Sequence, residues 1–215
     1  MLTDKNVNNK AIESRPVIQP RRRRSPAASR ENILAAAEAI LTASGPLDLK
    51  LTEVAGQAGV ATATVLHHFG SIDGVQTALM ERMVTRLAAR VVAIAASAPG
   101  GVLAVEADIA LFDAFEEQGA ARLAAWLVMT GEAKRLSVVK RAVDEVLDLT
   151  CARLENPPPR ALMEELALAS ITAALGAGLF GQTLSTLLGH DPGSARAATL
   201  AALAARAAQT GLLEG

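Results

Sequence analysis

Tyrosine is absent from these 215 residues, and the other aromatics amount to four phenylalanines and Trp126. Strands favour aromatic and β-branched side chains, so this scarcity argues against a sheet protein. Cys151 is the one cysteine, which excludes an internal disulfide framework and a cysteine cluster for a metal. A single thiol suits the cytosol. Of the three histidines, His67 and His68 are adjacent. On a helix they point about 100° apart, so they cannot form the i, i+4 pair that grips zinc. His190 stands alone in a turn sequence. No glycine-rich phosphate loop, paired-carboxylate motif or serine elbow occurs. The chain is therefore read as no enzyme, with no cofactor and no metal. Residues 1–30 lack the apolar run of a secretory signal, which points to a cytoplasmic protein. The longest charge-free apolar stretch near the end, residues 166–181, is short for a bilayer span and holds Gly176, Gly178 and Gly181. It is expected to be a buried helix, with no membrane partner.

What is present points to helices. Hydrophobic residues make up 51% of the chain, mostly Ala, Leu and Val, enough to build a core. Ala and Leu are among the best helix formers. The net charge of -1 hides an asymmetry: residues 1–30 carry eight Lys or Arg against two acids, whereas the rest carries thirteen against twenty. A basic end on an acidic body suits contact with a polyanion; a solvated tail gives the same count.

Along the chain, residues 1–28 are polar, basic and aperiodic, and are read as a disordered arm with Arg21, Arg22, Arg23 and Arg24 as its focus. Ile33, Leu34, Ala37, Ile40 and Leu41 then recur at helical spacing, with Ser29 as the expected N-cap and Gly45-Pro46 as the stop. A second short helix is expected from about Thr52, its own cap, with Gly59 as the exit. Residues 60–69 read as a turn and a third short helix closed by Gly70. A long helix over 72–97 follows, with Val75, Leu79, Met83, Leu87 and Val91 at steps of four. Further helices fit 102–117, 120–131, 133–155, 160–188 and 193–212, separated by Gly and Pro breaks. The expected fold is all-α. An N-terminal three-helix helix-turn-helix domain (29–75) is joined by a long helix to a larger C-terminal helical bundle (76–215).

A helix-turn-helix needs a small residue where its helices cross, a glycine in the turn and an apolar anchor on the second helix. Ala55, Gly59 and Val65 meet those needs. The second helix is then free to enter a major groove with its first side chains near base edges. The stretches "RENILAAAEAILTASG", "LTEVAGQAGV", "TATVLHHFGS" and "ALMERM" make residues 30–79 resemble the DNA-binding domain of TetR-family regulators. The helical remainder suits that family's ligand-binding and dimerisation domain.

The resemblance implies a homodimer on double-stranded DNA, at a near-palindromic operator, released by a small-molecule effector. It implies that Thr62, Ala63 and His67 face bases and that Thr64 and His68 lie near the backbone or bases. Phe69 would anchor the domain, and Thr52 joins the DNA-binding set. Three positions depart from the family pattern. Ala61 replaces a capping Ser or Thr, at a cost of about 1 kcal/mol unless Thr62 caps instead. Leu66 replaces a Tyr and Ile72 a Lys, both of which would meet phosphate. Arg21, Arg22, Arg23 and Arg24 are positioned to make up the loss, at phosphates or in a narrow minor groove. A regulator-like helical protein that has lost DNA binding and acts through protein partners is the competing reading.

The small residues of helix 160–188, with the alanine-rich 193–212, are expected to pair with their copies as a four-helix bundle, or else to pack within one chain. The effector pocket is expected among residues 102–155 and the start of helix 160–188. Phe112, Phe115, Trp126, Met129 and Cys151 are its candidate lining, though each fits plain core better, and the effector itself is expected to be apolar.

Overall fold

The computed structural model describes residues 25–97, 100–152 and 157–209, the side chains of 100–104 apart. Every regular element among them is helical. The order is α1 (Pro26–Ser44), α2 (Leu51–Ala58), α3 (Thr62–Phe69), α4 (Ile72–Ser97), α5 (Gly100–Glu116), α6 (Ala120–Met129), α7 (Ser137–Cys151), α8 (Arg160–Gly176), α9 (Gln182–Leu187) and α10 (Ser194–Gln209). A short 3₁₀ turn precedes α2 (Pro46–Asp48) and another precedes α7 (Ala133–Leu136), while a π turn (Ala177–Gly181) joins α8 to α9.

Two helix starts differ from expectation. The cap of α1 is Ser25, whose Oγ accepts the Ala28 N–H at 3.2 Å, and Pro26 occupies the first helical position. Proline fits there because its missing N–H would be unpaired in any case. Residues 26–28 are thus helix, and of the expected arm residues 1–24, with the four arginines, lie outside the described residues. α2 starts one residue earlier than expected. Lys50 is its cap position, and Thr52 sits inside the first turn without capping.

The apolar stripe of α1 closes the N-terminal core. Ile33, Leu34, Ala37 and Leu41 pack with Val54, Val65, Val75 and Leu79. Each large side chain so buried contributes about 1.5–3 kcal/mol. The same cluster runs on along α4 to Leu123 and Leu127 of α6. Ion pairs reinforce the α1–α4 contact. Arg82, mostly buried, lies 2.9 Å from Glu31 and 3.3 Å from Glu38, and Arg86 lies 3.0 Å from Glu38. Arg122 of α6 donates to the Thr42 carbonyl at 2.7 Å, satisfying one of the carbonyls that a helix end leaves unpaired.

In the body, α10 is tied to α5 by Arg196, which lies 2.5 Å from Asp113 and 3.0 Å from Glu116. Its guanidinium also stands 5.9 Å over the Phe112 ring. Arg90 of α4 reaches Asp113 at 3.0 Å. Burial pushes the Asp113 carboxyl up, but Arg196 and Arg90 outweigh it and hold the group below its ordinary value.

The run from Arg160 to Leu187 departs from expectation. It is long and apolar enough, by length and composition, to cross a membrane. It is not a buried helix in the single chain. Gly178 faces inward, where an added Cβ would stand 2.9 Å from both the Ala121 Cβ and the Phe115 carbonyl oxygen. That glycine therefore serves packing within the chain. On the other side Leu168, Phe180, Leu184, Leu187 and Leu188 are exposed.

Candidate functional site

The α2–α3 unit is built from its turn outward. Gly59 takes the left-handed conformation (φ 65°, ψ 37°), which an L side chain adopts at a cost. Its position lets the Val60 N–H bond the Ala55 carbonyl at 3.0 Å while the Gly59 N–H bonds Gly56 at 3.1 Å. This pairing closes α2 and turns the chain sharply into α3. Ala55 and Val65, the crossing residue and the anchor, are both buried.

Burying Val65 fixes which side of α3 faces out. Ala63, Leu66 and His67 are exposed, and Thr62, Thr64 and His68 are half-buried. Thr52 is exposed at the start of α2. The His67 ring packs edge-on to His68, with centroids 5.4 Å apart. Thr62 does not take over the cap: it is the first helical residue of α3, and Ala61 holds the cap position with no side-chain bond. Ile72 is half-buried and packs against the N-terminal core. Leu66 is 41% exposed, an apolar side chain on the open face.

Four supporting residues escaped the sequence reading. Arg30 lies over the Phe69 ring at 4.9 Å, a cation–π contact that sets the start of α1 against the end of α3. Asn32 donates through Nδ2 to the Ala58 carbonyl at 2.8 Å and ties α1 to the α2–α3 turn. Its signal was available, since it falls one turn before the buried Ala36. Ser71 accepts the Gly74 N–H at 3.1 Å and caps α4. Gly74 itself meets the end of α3, and an added Cβ would lie 1.9 Å from the Phe69 carbonyl oxygen.

The second feature is a cavity of about 640 Å³ in the body, within the range of small-molecule sites. It lies among α4, α5, α6, α7, α8 and α10, so α4 and α10 contribute walls that were not expected. Of the five expected lining residues only Phe115 lines it. Phe112 is fully buried in the body, Trp126 packs against the N-terminal core, and Met129 is 80% exposed. Cys151 stands behind the wall, with its Sγ 3.4 Å from the Met163 Sδ. The lining is apolar apart from Asp108, Thr150 and Ser170. The Thr150 hydroxyl is already engaged by the Val146 carbonyl at 2.7 Å. Among the described residues no group of three His, Cys, Asp or Glu could hold a metal ion.

Comparison with known proteins agrees with the N-terminal geometry. Residues 33–79 match the family model for bacterial regulatory proteins of the tetR family. Among curated proteins no sequence relative is found. The fold is similar to that of several solved structures. The multidrug binding protein EbrR, complexed with imidazole, is 23% identical over 81% of this chain and 93% of its own, with a TM-score of 0.55. A tetR-family transcriptional regulator from Streptomyces coelicolor is 20% identical over 85% of this chain and 89% of its own, also at 0.55. A third, from Mesorhizobium loti, is 15% identical over 86% of this chain and 98% of its own, at 0.51. At these identities the likeness is one of fold.

Proposed function

From the premise that the helix-turn-helix belongs to the tetR family of bacterial regulatory proteins, carried on a fold shared with such regulators, we propose a dimeric repressor. It binds a near-palindromic operator in the cytoplasm and is released by a small molecule in the body cavity. The observation that carries this reading is the outward face of α3, presented on a buried Val65 anchor. Thr62, Ala63 and His67 face base edges, Thr64 and His68 lie near the backbone or bases, and Thr52 joins the DNA-binding set. Helices α8 to α10 form the contact between copies. The cavity touches α4 through Met83, Leu87 and Val91, and α4 follows directly on α3. A ligand there bears on the helix that carries the reading head.

Selection of bound duplexes from a random pool tests the DNA-binding reading. The expected product is an inverted repeat with half-sites a helical turn, or a multiple of it, apart. On that sequence Thr62→Ala and His67→Ala each weaken binding by about 1–3 kcal/mol, roughly fivefold to 150-fold, with little change on random duplex. Equal, weak binding to selected and random duplexes favours the second reading, a helical protein acting through protein partners. The uncapped Ala61 and the exposed Leu66 are the observations that keep that reading in play.

The dimer has its own test. Phe180 is 59% and Leu187 75% exposed, with Leu184 between them; contiguous apolar surface of this kind marks interaction sites. Leu184→Glu is expected to give a monomer in sedimentation velocity, with far-ultraviolet circular dichroism unchanged. A dimer of undiminished affinity would rule this face out.

A further inference from the structure

Among the described residues six carboxylates are half-buried: those of Glu38, Asp108, Asp113, Glu116, Glu132 and Asp144. Five of them stand beside an arginine. Glu38 has Arg82 and Arg86, and Asp113 and Glu116 share Arg196. Glu132 has Arg135, and Asp144 has Arg160. The sixth is Asp108, on α5. It faces the aliphatic cavity, and the side chain bonded to it is the neutral hydroxyl of Ser170. No cation lies within ion-pair distance of it among the described residues.

A carboxylate in apolar surroundings is costly unless a positive charge and hydrogen bonds compensate it. Elsewhere this chain supplies that compensation from its own arginines. Here the carboxylate faces a cavity of about 640 Å³, large enough for a drug-sized molecule and lined mostly by apolar side chains. We propose that the cavity takes a ligand with a lipophilic body and one cationic head, an amine or quaternary ammonium, and that Asp108 recognises the head. The body of such a ligand covers Leu111, Val143, Leu166 and Ile171, and its head supplies a charge that none of the described residues brings within ion-pair distance. Burial pushes the Asp108 carboxyl up, opposed by the Ser170 hydrogen bond, and a ligand cation favours its charged form. On this proposal the ligand is amphiphilic, where the composition alone suggested an apolar one. The inference rests on the effector reading only for its regulatory consequence, not for binding.

Three probes with one decyl tail isolate the head group: decyltrimethylammonium, decanol and decanoate. Binding of each to the full chain is measured by equilibrium dialysis. The cation is expected to bind at least tenfold tighter than the alcohol, and the carboxylate more weakly than either. Asp108→Asn is expected to bring the cation to within about twofold of the alcohol while alcohol binding is unchanged, which also reports an intact cavity. Ser170→Ala keeps the charge and is expected to keep the preference; it decides the matter if the Asn variant does not fold. Three probes bound alike, none bound, or a cation preference that survives in Asp108→Asn would overturn the proposal. Operator affinity is measured in parallel. A cation that binds through Asp108 and leaves operator affinity unchanged overturns the effector reading, while the ligand class stands.

Discussion

Gly74→Ala is expected to destabilise the protein by about 3 kcal/mol or more in urea unfolding, a large part of a typical domain's stability. The ordinary effect of this substitution inside a helix has the opposite sign. Alanine relieves the entropic cost of glycine by about 0.5–1 kcal/mol. At Gly74 that gain is overwhelmed, because the new Cβ would sit 1.9 Å from the Phe69 carbonyl oxygen and 3.0 Å from its carbon. Backbone atoms cannot swing aside like the tip of a side chain. Relief requires the end of α3 to move away from α4, taking Phe69 from beneath Arg30 and disturbing the core beside it. Gly56 is the matched control. It lies within α2, and an added Cβ there meets nothing within 4 Å. Gly56→Ala is expected to stabilise by about 0.5–1 kcal/mol. Two substitutions of the same chemistry then give opposite signs, and a stabilising Gly74→Ala would refute the described joint.

Replacing Arg21, Arg22, Arg23 and Arg24 together by glutamine is expected to weaken operator binding by roughly a hundredfold or more at physiological salt. It should also flatten the slope of log affinity against log salt by about 3–4 per protomer if all four neutralise phosphates. The expectation follows from what the reading head lacks. Ile72 is turned into the core, Leu66 offers no hydroxyl, and Ala61 supplies no capping oxygen. The start of α1 lies against the end of α3 through Arg30 and Phe69, and the arginines immediately precede the Ser25 cap. Electrophoretic mobility shifts across a salt series decide the point. An unchanged slope with unchanged affinity would reduce the arm to a bystander.

The helices were legible because their ends are punctuated by residues with strong backbone preferences. Gly45, Gly59, Gly70 and Gly119 all adopt positive φ, and each marked a boundary correctly. The helix-turn-helix was legible for the same reason, since its spacing is local. Starts were harder. Ser25 and Ser29 both suit a cap, and Pro26 at the first helical position separates them; Thr52 has the chemistry of a cap but stands after the cap position, Lys50, as the second residue of the helix. The cavity was not legible. Its candidate residues were chosen by size, yet large aromatics fill space, and Phe112 is fully buried. The wall is made of Val, Leu and Ala from six helices, brought together by contacts that no local pattern encodes. Asp108 was missed because one acid in a helix looks solvated until its surroundings are known. Gly176 and Gly178 look alike in sequence, yet only Gly178 meets neighbouring atoms.

The carboxylates of Glu31 and Glu38 sit on α1, and the guanidiniums of Arg82 and Arg86 that answer them sit on α4. Any recombination seam placed between the helix-turn-helix and the body passes between these partners. It also parts Thr42 from Arg122. A reading head exchanged with that of another regulator therefore arrives without its counter-charges unless the recipient happens to carry the same pairs. On the proposed reading, operator specificity is inherited together with the middle of α4, so the interchangeable unit is larger than the helix-turn-helix itself.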